Sequence, residues 1–290
     1  MIKFLTVQHQ MKSLKLITDD GFSVAATLFE PEVSCQKFLL INSATGVRQH
    51  VYYAFARYFA EQGFTVLTYD YRGVGLSKPD TLKGFKANMR QWGTLDFKAA
   101  TTFMQKHYEQ YSCFAIGHSV GGLIMGMNPD AVQFRRLVFF GAQKAYAAHL
   151  NFKIMMLGFM GFGVLQPVLS GLAGYFPAHW FGLGESLPAG AGRDWRTLIV
   201  HPQSTNKLLH KLPEHYSALL TQEVLVIRAE DDSWLTAKAV RRMMEETFPR
   251  MKPEYRLLKP EDSPQNQIGH INFFRSFNQN LWQQVLDYCS

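Results

Sequence analysis

The residues able to do chemistry cluster at Gly117-His118-Ser119-Val120-Gly121-Gly122, after the apolar run Cys113-Phe114-Ala115-Ile116 and before Leu123-Ile124-Met125. A strand-like run that ends in Gly-x-Ser-x-Gly and passes into a helix reads as a nucleophile elbow. The serine then stands on a sharp turn at the carboxyl edge of a sheet. Gly117 and Gly121 each lie two residues from Ser119, where a Cβ would collide across so tight a turn. The N–H groups that open the helix point at the same spot and can hold developing negative charge. The chemistry is attack by a hydroxyl.

A serine hydroxyl is a weak nucleophile at neutral pH and needs a base, which in turn needs an orienting acid. Around an elbow of this kind the chain order is Ser, then Asp or Glu, then His. Ten histidines are present, and only His270 lies beyond the late apolar run at residues 224–227. It follows Ile268-Gly269 in a loop before the last helical stretch. The acid belongs just after 224–227, where Arg228-Ala229-Glu230-Asp231-Asp232-Ser233 offers three carboxylates. With the turn at Ala229 the position falls on Asp232, with Asp231 the alternative. The oxyanion needs two N–H donors. One is Val120; the other comes from the loop after residues 38–41, at Thr45 or, alternatively, Ala44. His118 is expected to pack behind the sheet, and Asp70 and Arg72 to pair and fix their own loop. Gly73-x-Gly75 lacks the Lys-Ser/Thr of a phosphate loop and any dinucleotide fingerprint, and no His/Cys/carboxylate group has metal-ligand spacing. The expectation is no cofactor and no metal.

The elements that must hold these residues follow from hydrophobic patterning. Residues 13–18 and 22–29 alternate around Asp19-Asp20-Gly21, as a hairpin does. Continuous apolar runs at 38–41 and 65–69, the elbow strand, and 137–140 are spaced by helical stretches at about 52–62 and 93–108. This is the rhythm of a parallel sheet covered on both faces. It resumes with a strand at 224–227, a helix at 236–247, a strand at 255–258 and a final helix at 271–288. With no linker or repeat, residues 1–290 form one domain, with a core at 12–143 and 223–290 and an insertion at 144–222. That insertion is expected to cover the sheet edge as a lid. From 154 to 179 it contains no Asp, Glu, Lys or Arg, long enough to span a bilayer. Gln166, Pro167 and recurring Gly interrupt it, and a span would divide the sheet between compartments. The favoured reading is a set of lid helices facing a greasy pocket, with membrane contact through the lid the second reading. Met155, Met156, Phe159 and Met160, with Phe162, are the candidate substrate-pocket residues.

The totals fit this picture. Of 290 residues 47% are hydrophobic and 18% charged, so a large core is available. The net charge of +7 is spread without a run of five or six Lys/Arg, which argues against a nucleic-acid surface. Three cysteines at unrelated spacings, Cys35, Cys113 and Cys289, suit a reducing cytoplasm. The amino terminus has no apolar stretch long enough for a secretory signal, and Met11 is a candidate initiator.

With these residues in view, the sequence resembles the α/β-hydrolase superfamily, and within it an uncharacterised bacterial group of predicted serine hydrolases. The resemblance rests on Ala44-Thr45-Gly46-Val47, Tyr69-Asp70-Tyr71-Arg72-Gly73-Val74-Gly75, the elbow, Gly174-Tyr175-Phe176-Pro177, Asp231-Asp232-Ser233-Trp234 and Ile268-Gly269-His270-Ile271-Asn272-Phe273-Phe274. It implies an α/β-hydrolase fold, a mostly parallel doubly wound sheet with a helical lid insertion, and a Ser119–Asp232–His270 triad. Ser43-Ala44 stands where many such enzymes place His-Gly. The expected partner is a small-molecule carboxylic ester or thioester, cleaved through an acyl-enzyme. The fold also hosts acyltransferases and non-catalytic binding proteins, which are the two rival readings.

Overall fold

In the computed structural model, which describes residues 10–290, the apolar runs become the strands of one eight-stranded sheet. The first ones are β1 (Gln10–Ile17), β2 (Ser23–Glu30), β3 (Lys37–Asn42), β4 (Phe64–Tyr69) and β5 (Ser112–His118). They are joined by β6 (Arg136–Phe140), β9 (Glu223–Ala229) and β10 (Lys252–Leu258), in the spatial order β1-β2-β4-β3-β5-β6-β9-β10. β1 and β2 form the antiparallel hairpin, β2 runs antiparallel to β4, and every other neighbour is parallel. The reading of the amino terminus as free of a secretory signal falls on residues 1–9, outside the described residues.

Register brings the functional loops together. Asn42 pairs with Gly117, His118 with Phe140, and Phe140 with Ile227. The loops after β3, β5, β6 and β9 therefore leave one edge of the sheet side by side. Because side chains alternate along a strand, each strand feeds two cores. Leu40, Ala115, Leu137 and Val226 face one core; Ile41, Ile116, Val138 and Ile227 face the other. The second core is covered by α1 (Tyr53–Glu61) and by the carboxyl-terminal segment ending in α10 (Gln283–Tyr288). The first is covered by α3 (Lys98–Tyr108), α4 (Val120–Met125) and α9 (Ala237–Glu246), whose start is capped by Thr236 accepting from Ala239 N.

Two helices differ from expectation. The helix expected at 93–108 begins earlier, at the short α2 (Met89–Gln91), because Asn88 and Gln91 form a reciprocal capping box. A π turn over Trp92–Phe97 then leads into α3. The helix expected over 271–288 is α-helical only in α10. Before it lie 3-10 turns at Asn272–Phe274 and Ser276–Leu281, and Asn278 departs from helical geometry. Its side-chain amide donates to the carbonyls of Gln267 and Asn272, at 3.1 and 2.9 Å, and so holds the chain in turns.

Between β6 and β9 the chain builds the insertion. A helix runs from Phe152 to Ala173, made of α5 (Phe152–Met160), a π turn and α6 (Gln166–Ala173), and ends at Gly174 with φ +77°. A two-residue strand pair follows, β7 (Tyr175–Phe176) with β8 (Leu187–Pro188), where no strand was expected. Then come α7 (Ala189–Val200) and α8 (Ser204–Leu209).

Candidate active site

Ser119 follows β5 directly with φ 55° and ψ −118°, a region that non-glycine residues rarely occupy, and α4 begins at the next residue. The turn is forced by its glycines. A Cβ on Gly117 would lie 2.5 Å from the Gly122 backbone, and one on Gly121 2.3 Å from the Asn42 carbonyl oxygen. Ser119 N donates to Phe140 O at 2.9 Å, tying the elbow to β6. The Ser119 hydroxyl makes no hydrogen bond to another described residue and fronts a cavity that His270 also fronts. Val120, as the first residue of α4, has no intrahelical acceptor for its N–H.

The two carboxylates after β9 separate into two tasks. His270 Nδ1 lies 2.5 Å from Asp232 Oδ2, and the Asp232 side chain is 1% exposed. The other Asp232 oxygen accepts from Trp234 N at 2.9 Å. With Nδ1 donating to the carboxylate, Nε2 is left as the acceptor. Asp231 faces the other way. Its two oxygens accept from the backbone N–H groups of Ile268 and Gly269, both at 2.9 Å, and so clamp the loop that carries His270. Asp232, and not Asp231, is thus the carboxylate on the imidazole. Gly141, at φ +64°, leaves room for the ring; a Cβ there would lie 3.1 Å from His270 Cε1.

The loop after β3 also resolves its two candidates. Ala44 N donates to the Tyr52 hydroxyl at 2.9 Å, so it is engaged, whereas Thr45 N makes no hydrogen bond to a described residue. Thr45 and Val120 both line the cavity with Ser119. Tyr52 in turn meets His118 Nδ1 at 2.8 Å, and His118 Nε2 meets the His270 carbonyl oxygen at 2.8 Å. A carbonyl only accepts, so Nε2 donates. Complete burial pushes the His118 pKa well below the ordinary value, helped by the neighbouring His270, so the ring is neutral and its Nδ1 accepts from Tyr52. A buried chain of fixed polarity therefore runs Ala44 N–H to Tyr52 O–H to His118 to the main chain of His270. His118 does pack behind the sheet, against Phe140 and Phe274, but it also braces the imidazole loop. Sequence reasoning missed Tyr52, and it weighed Asp231 only as an alternative acid on the imidazole, not as the clamp on the His270 loop.

The cavity has a volume of about 540 Å³, the size of a site for a small organic molecule. The core contributes Val47, Val51, Leu123 and Ile271 to it; the insertion contributes Leu183, Trp195, Leu198 and Ile199. Gln143, half-buried, also lines it: Nε2 donates to Trp234 O at 2.5 Å, while Oε1 is buried with no partner among the described residues. At the mouth Arg48 pairs with Glu185, which also accepts from Gly75 N at 2.6 Å. Desolvation raises the Glu185 pKa, but the Arg48 and Gly75 donors outweigh it and hold the carboxyl below its ordinary value.

Two expectations are corrected. Met155, Met156, Phe159 and Met160 are absent from the cavity wall. Met155 and Phe159 pack on the core of the molecule, and Met156 and Met160 face solvent, because α5 turns its small Gly158 side toward Ala147 and Ile199. Phe162 packs on Phe176 and Trp195. Nor do Asp70 and Arg72 pair. Arg72 Nε donates to Asp96 at 2.6 Å and its Nη1 to Asp20 at 2.6 Å, joining the β1–β2 turn to the π turn before α3. Asp70 accepts from Gln49 N and Leu76 N at 2.7 and 2.9 Å. Desolvation raises its pKa, only partly offset by those donors. Both residues still fix loops, each through other partners.

Comparison with known proteins agrees with this architecture. A family model described as serine aminopeptidase, S33, matches residues 37–170, a stretch that holds Ser119 but ends before Asp232 and His270. A hypothetical protein from Pseudomonas aeruginosa superposes with a TM-score of 0.63 at 13% identity, over 98% of this chain and 94% of that one. An esterase from Pyrococcus furiosus gives 0.61 at 14% identity, over 99% and 93%. A Xanthomonas campestris protein described as an α/β serine hydrolase without lid gives 0.51 at 13% identity, over 96% and 95%. None of the curated proteins matches the chain.

Proposed function

We infer that this chain is a serine hydrolase of the α/β-hydrolase superfamily that cleaves a carboxylic ester or thioester through an acyl-enzyme; the family match over residues 37–170 and the shared fold support this. The observation that carries the reading is the joint placement of Ser119 and His270 on one cavity, with the imidazole held by buried Asp232 at 2.5 Å. In the first half-reaction His270 Nε2 takes the Ser119 proton as Oγ bonds to the substrate carbonyl carbon. The oxyanion is received by the N–H groups of Val120 and Thr45, each worth about 3 kcal/mol of barrier. As the tetrahedral adduct collapses, His270 returns the proton to the leaving alkoxide or thiolate. Water then repeats the sequence on the acyl-Ser119 ester. Asp232 supports the imidazolium and fixes its tautomer.

The apolar lining from Val51, Leu123, Trp195, Leu198 and Ile199 favours an apolar acyl or alcohol portion. An aminopeptidase would need a free carboxylate for the substrate amine. Among the described residues the one carboxylate on the cavity wall, Glu185, is already held by Arg48 and Gly75 N. An acyltransferase would use the same residues with an alcohol or amine in place of water. Adding such an acceptor to the ester assay and measuring how product divides between acid and new ester separates the two.

The test is a series of p-nitrophenyl esters of graded acyl length, with wild type and Ser119→Ala. Wild type is expected to prefer a chain that fills the cavity, and Ser119→Ala to lose at least about 10³-fold in kcat, a triad effect. Equal rates for the two proteins would overturn the reading.

A further inference from the structure

We propose that the outer face of the insertion docks on an anionic phospholipid surface. Among the described residues eighteen large apolar side chains are exposed, and ten of them lie between Phe152 and Phe181. Soluble proteins scatter such residues singly; a contiguous patch marks a contact. The helix Phe152–Ala173 is 22 residues long, and within its most apolar 18-residue window, of mean hydropathy 1.6, only 17% is buried.

The helix has an inside and an outside. Inward, Gly158 meets Ala147 and Ile199, Phe162 packs at a tilt against Trp195 with 4.9 Å between ring centroids, and Gln166 reaches Gly192. Outward stand Met156, Leu157, Met160, Val164, Val168 and Leu172, all exposed. A helix packed on one face against α7 lies along a surface and does not cross it. β6 and β9, which bracket the insertion, are hydrogen-bonded neighbours in one sheet, so both ends return to the same body.

Charge selects the occupant. From Ala131 to Gly184 there is no Asp or Glu. The rim of the apolar face is basic: exposed Lys153 stands at the start of the helix. Arg196 donates to Gly163 O at 3.4 Å in the middle, and Lys83 lies against Gly174 at the end. The nearby carboxylates Glu185 and Asp194 are each in ion pairs. Apolar residues ringed by cations fit lipid tails beneath anionic headgroups. A second copy on this face would bring like-charged rims together. Trp180 and Phe181, in the turn after β7, are exposed as well, and such aromatics favour a membrane interface. The next residues, Gly182-Leu183-Gly184, line the cavity mouth, so a docked molecule would open its cavity toward the bilayer.

The experiment is flotation of the full chain with large unilamellar vesicles of phosphatidylcholine carrying from zero to half phosphatidylglycerol. The bound fraction is expected to rise with phosphatidylglycerol and to fall with added salt. The double variant Leu157→Glu/Leu172→Glu should lower the vesicle partition coefficient at least tenfold, with the thermal midpoint and the rate on a soluble short-chain ester unchanged. Lys153→Glu, on the rim, should flatten the dependence on phosphatidylglycerol. Ser119→Ala should float like wild type, so loss of the hydrolase reading and loss of this one remain distinguishable. Two outcomes overturn the proposal. One is no flotation at any composition. The other is a dimer in sedimentation velocity that Leu157→Glu/Leu172→Glu dissociates, which would assign the face to a second copy.

Discussion

Tyr52→Phe removes one oxygen atom and tests the hidden bracing of the site. The Tyr52 hydroxyl is fully buried, accepts from Ala44 N at 2.9 Å and donates to His118 Nδ1 at 2.8 Å. Phenylalanine keeps the ring, and with it the packing on Phe274 at 4.8 Å between centroids. The variant therefore leaves two buried polar groups without partners and disturbs little else. Each unmade bond costs about 1–3 kcal/mol, so the loss should be about 2–4 kcal/mol in urea unfolding at pH 8. Turnover should fall about tenfold, because both the Thr45 loop and the His270 main chain lose a tether and small misplacements are costly. A loss below about 0.5 kcal/mol with unchanged kcat would refute the chain of hydrogen bonds.

The same chain predicts a pH signature. His118 is neutral when folded, with its pKa pushed down by burial, while the unfolded imidazole titrates near 6.5. Below that value the unfolded state binds a proton that the folded state refuses. Its contribution to stability is therefore complete above pH 6.5 and is lost as pH falls, by about 1.4 kcal/mol per unit. Urea titrations from pH 7.5 to 5 should show this slope in wild type and a shallower one in His118→Gln. Equal slopes would contradict the assignment.

Other substitutions separate neighbouring roles. Asp232→Asn should lower kcat by about 10⁴-fold with little change in stability, because the imidazole tautomer is no longer fixed. Asp231→Asn should instead cost about 1–3 kcal/mol of stability and lower kcat far less, since it weakens two bonds to the loop and none to the ring; identical kinetic profiles would overturn this division. Gly141→Ala, with a Cβ 3.1 Å from His270 Cε1 at a positive φ, should lower kcat while KM stays close to wild type, read from initial rates on one ester. Arg48→Ala frees Glu185 at the cavity mouth and should raise KM more than it lowers kcat.

The strands were legible because buried parallel strands are written as continuous apolar runs, and the elbow because its glycines leave no choice. The order Ser, acid, His then singled out His270 among ten histidines. Choosing between Asp231 and Asp232 required coordinates, since adjacent residues point to opposite sides and both bind the same loop. The Tyr52–His118–His270 brace joins residues 66 and 152 positions apart in the chain, which no local pattern encodes. The cavity wall was misread for a physical reason. Residues 154–173 carry no charge on any face and large apolar side chains on most sides, so hydrophobic periodicity does not say which side of the helix turns inward. The last helix was overextended because Asn278 looks tolerable in a helix until its side chain finds two carbonyls.

The most direct measurement of the central claim is covalent labelling with a fluorophosphonate, followed by peptide mapping. The account predicts one adduct per folded chain, on Ser119, formed at least 10³-fold more slowly in His270→Gln and absent from Ser119→Ala. An unlabelled wild type beside a reactive control hydrolase, or undiminished labelling of Ser119→Ala at another residue, would contradict it.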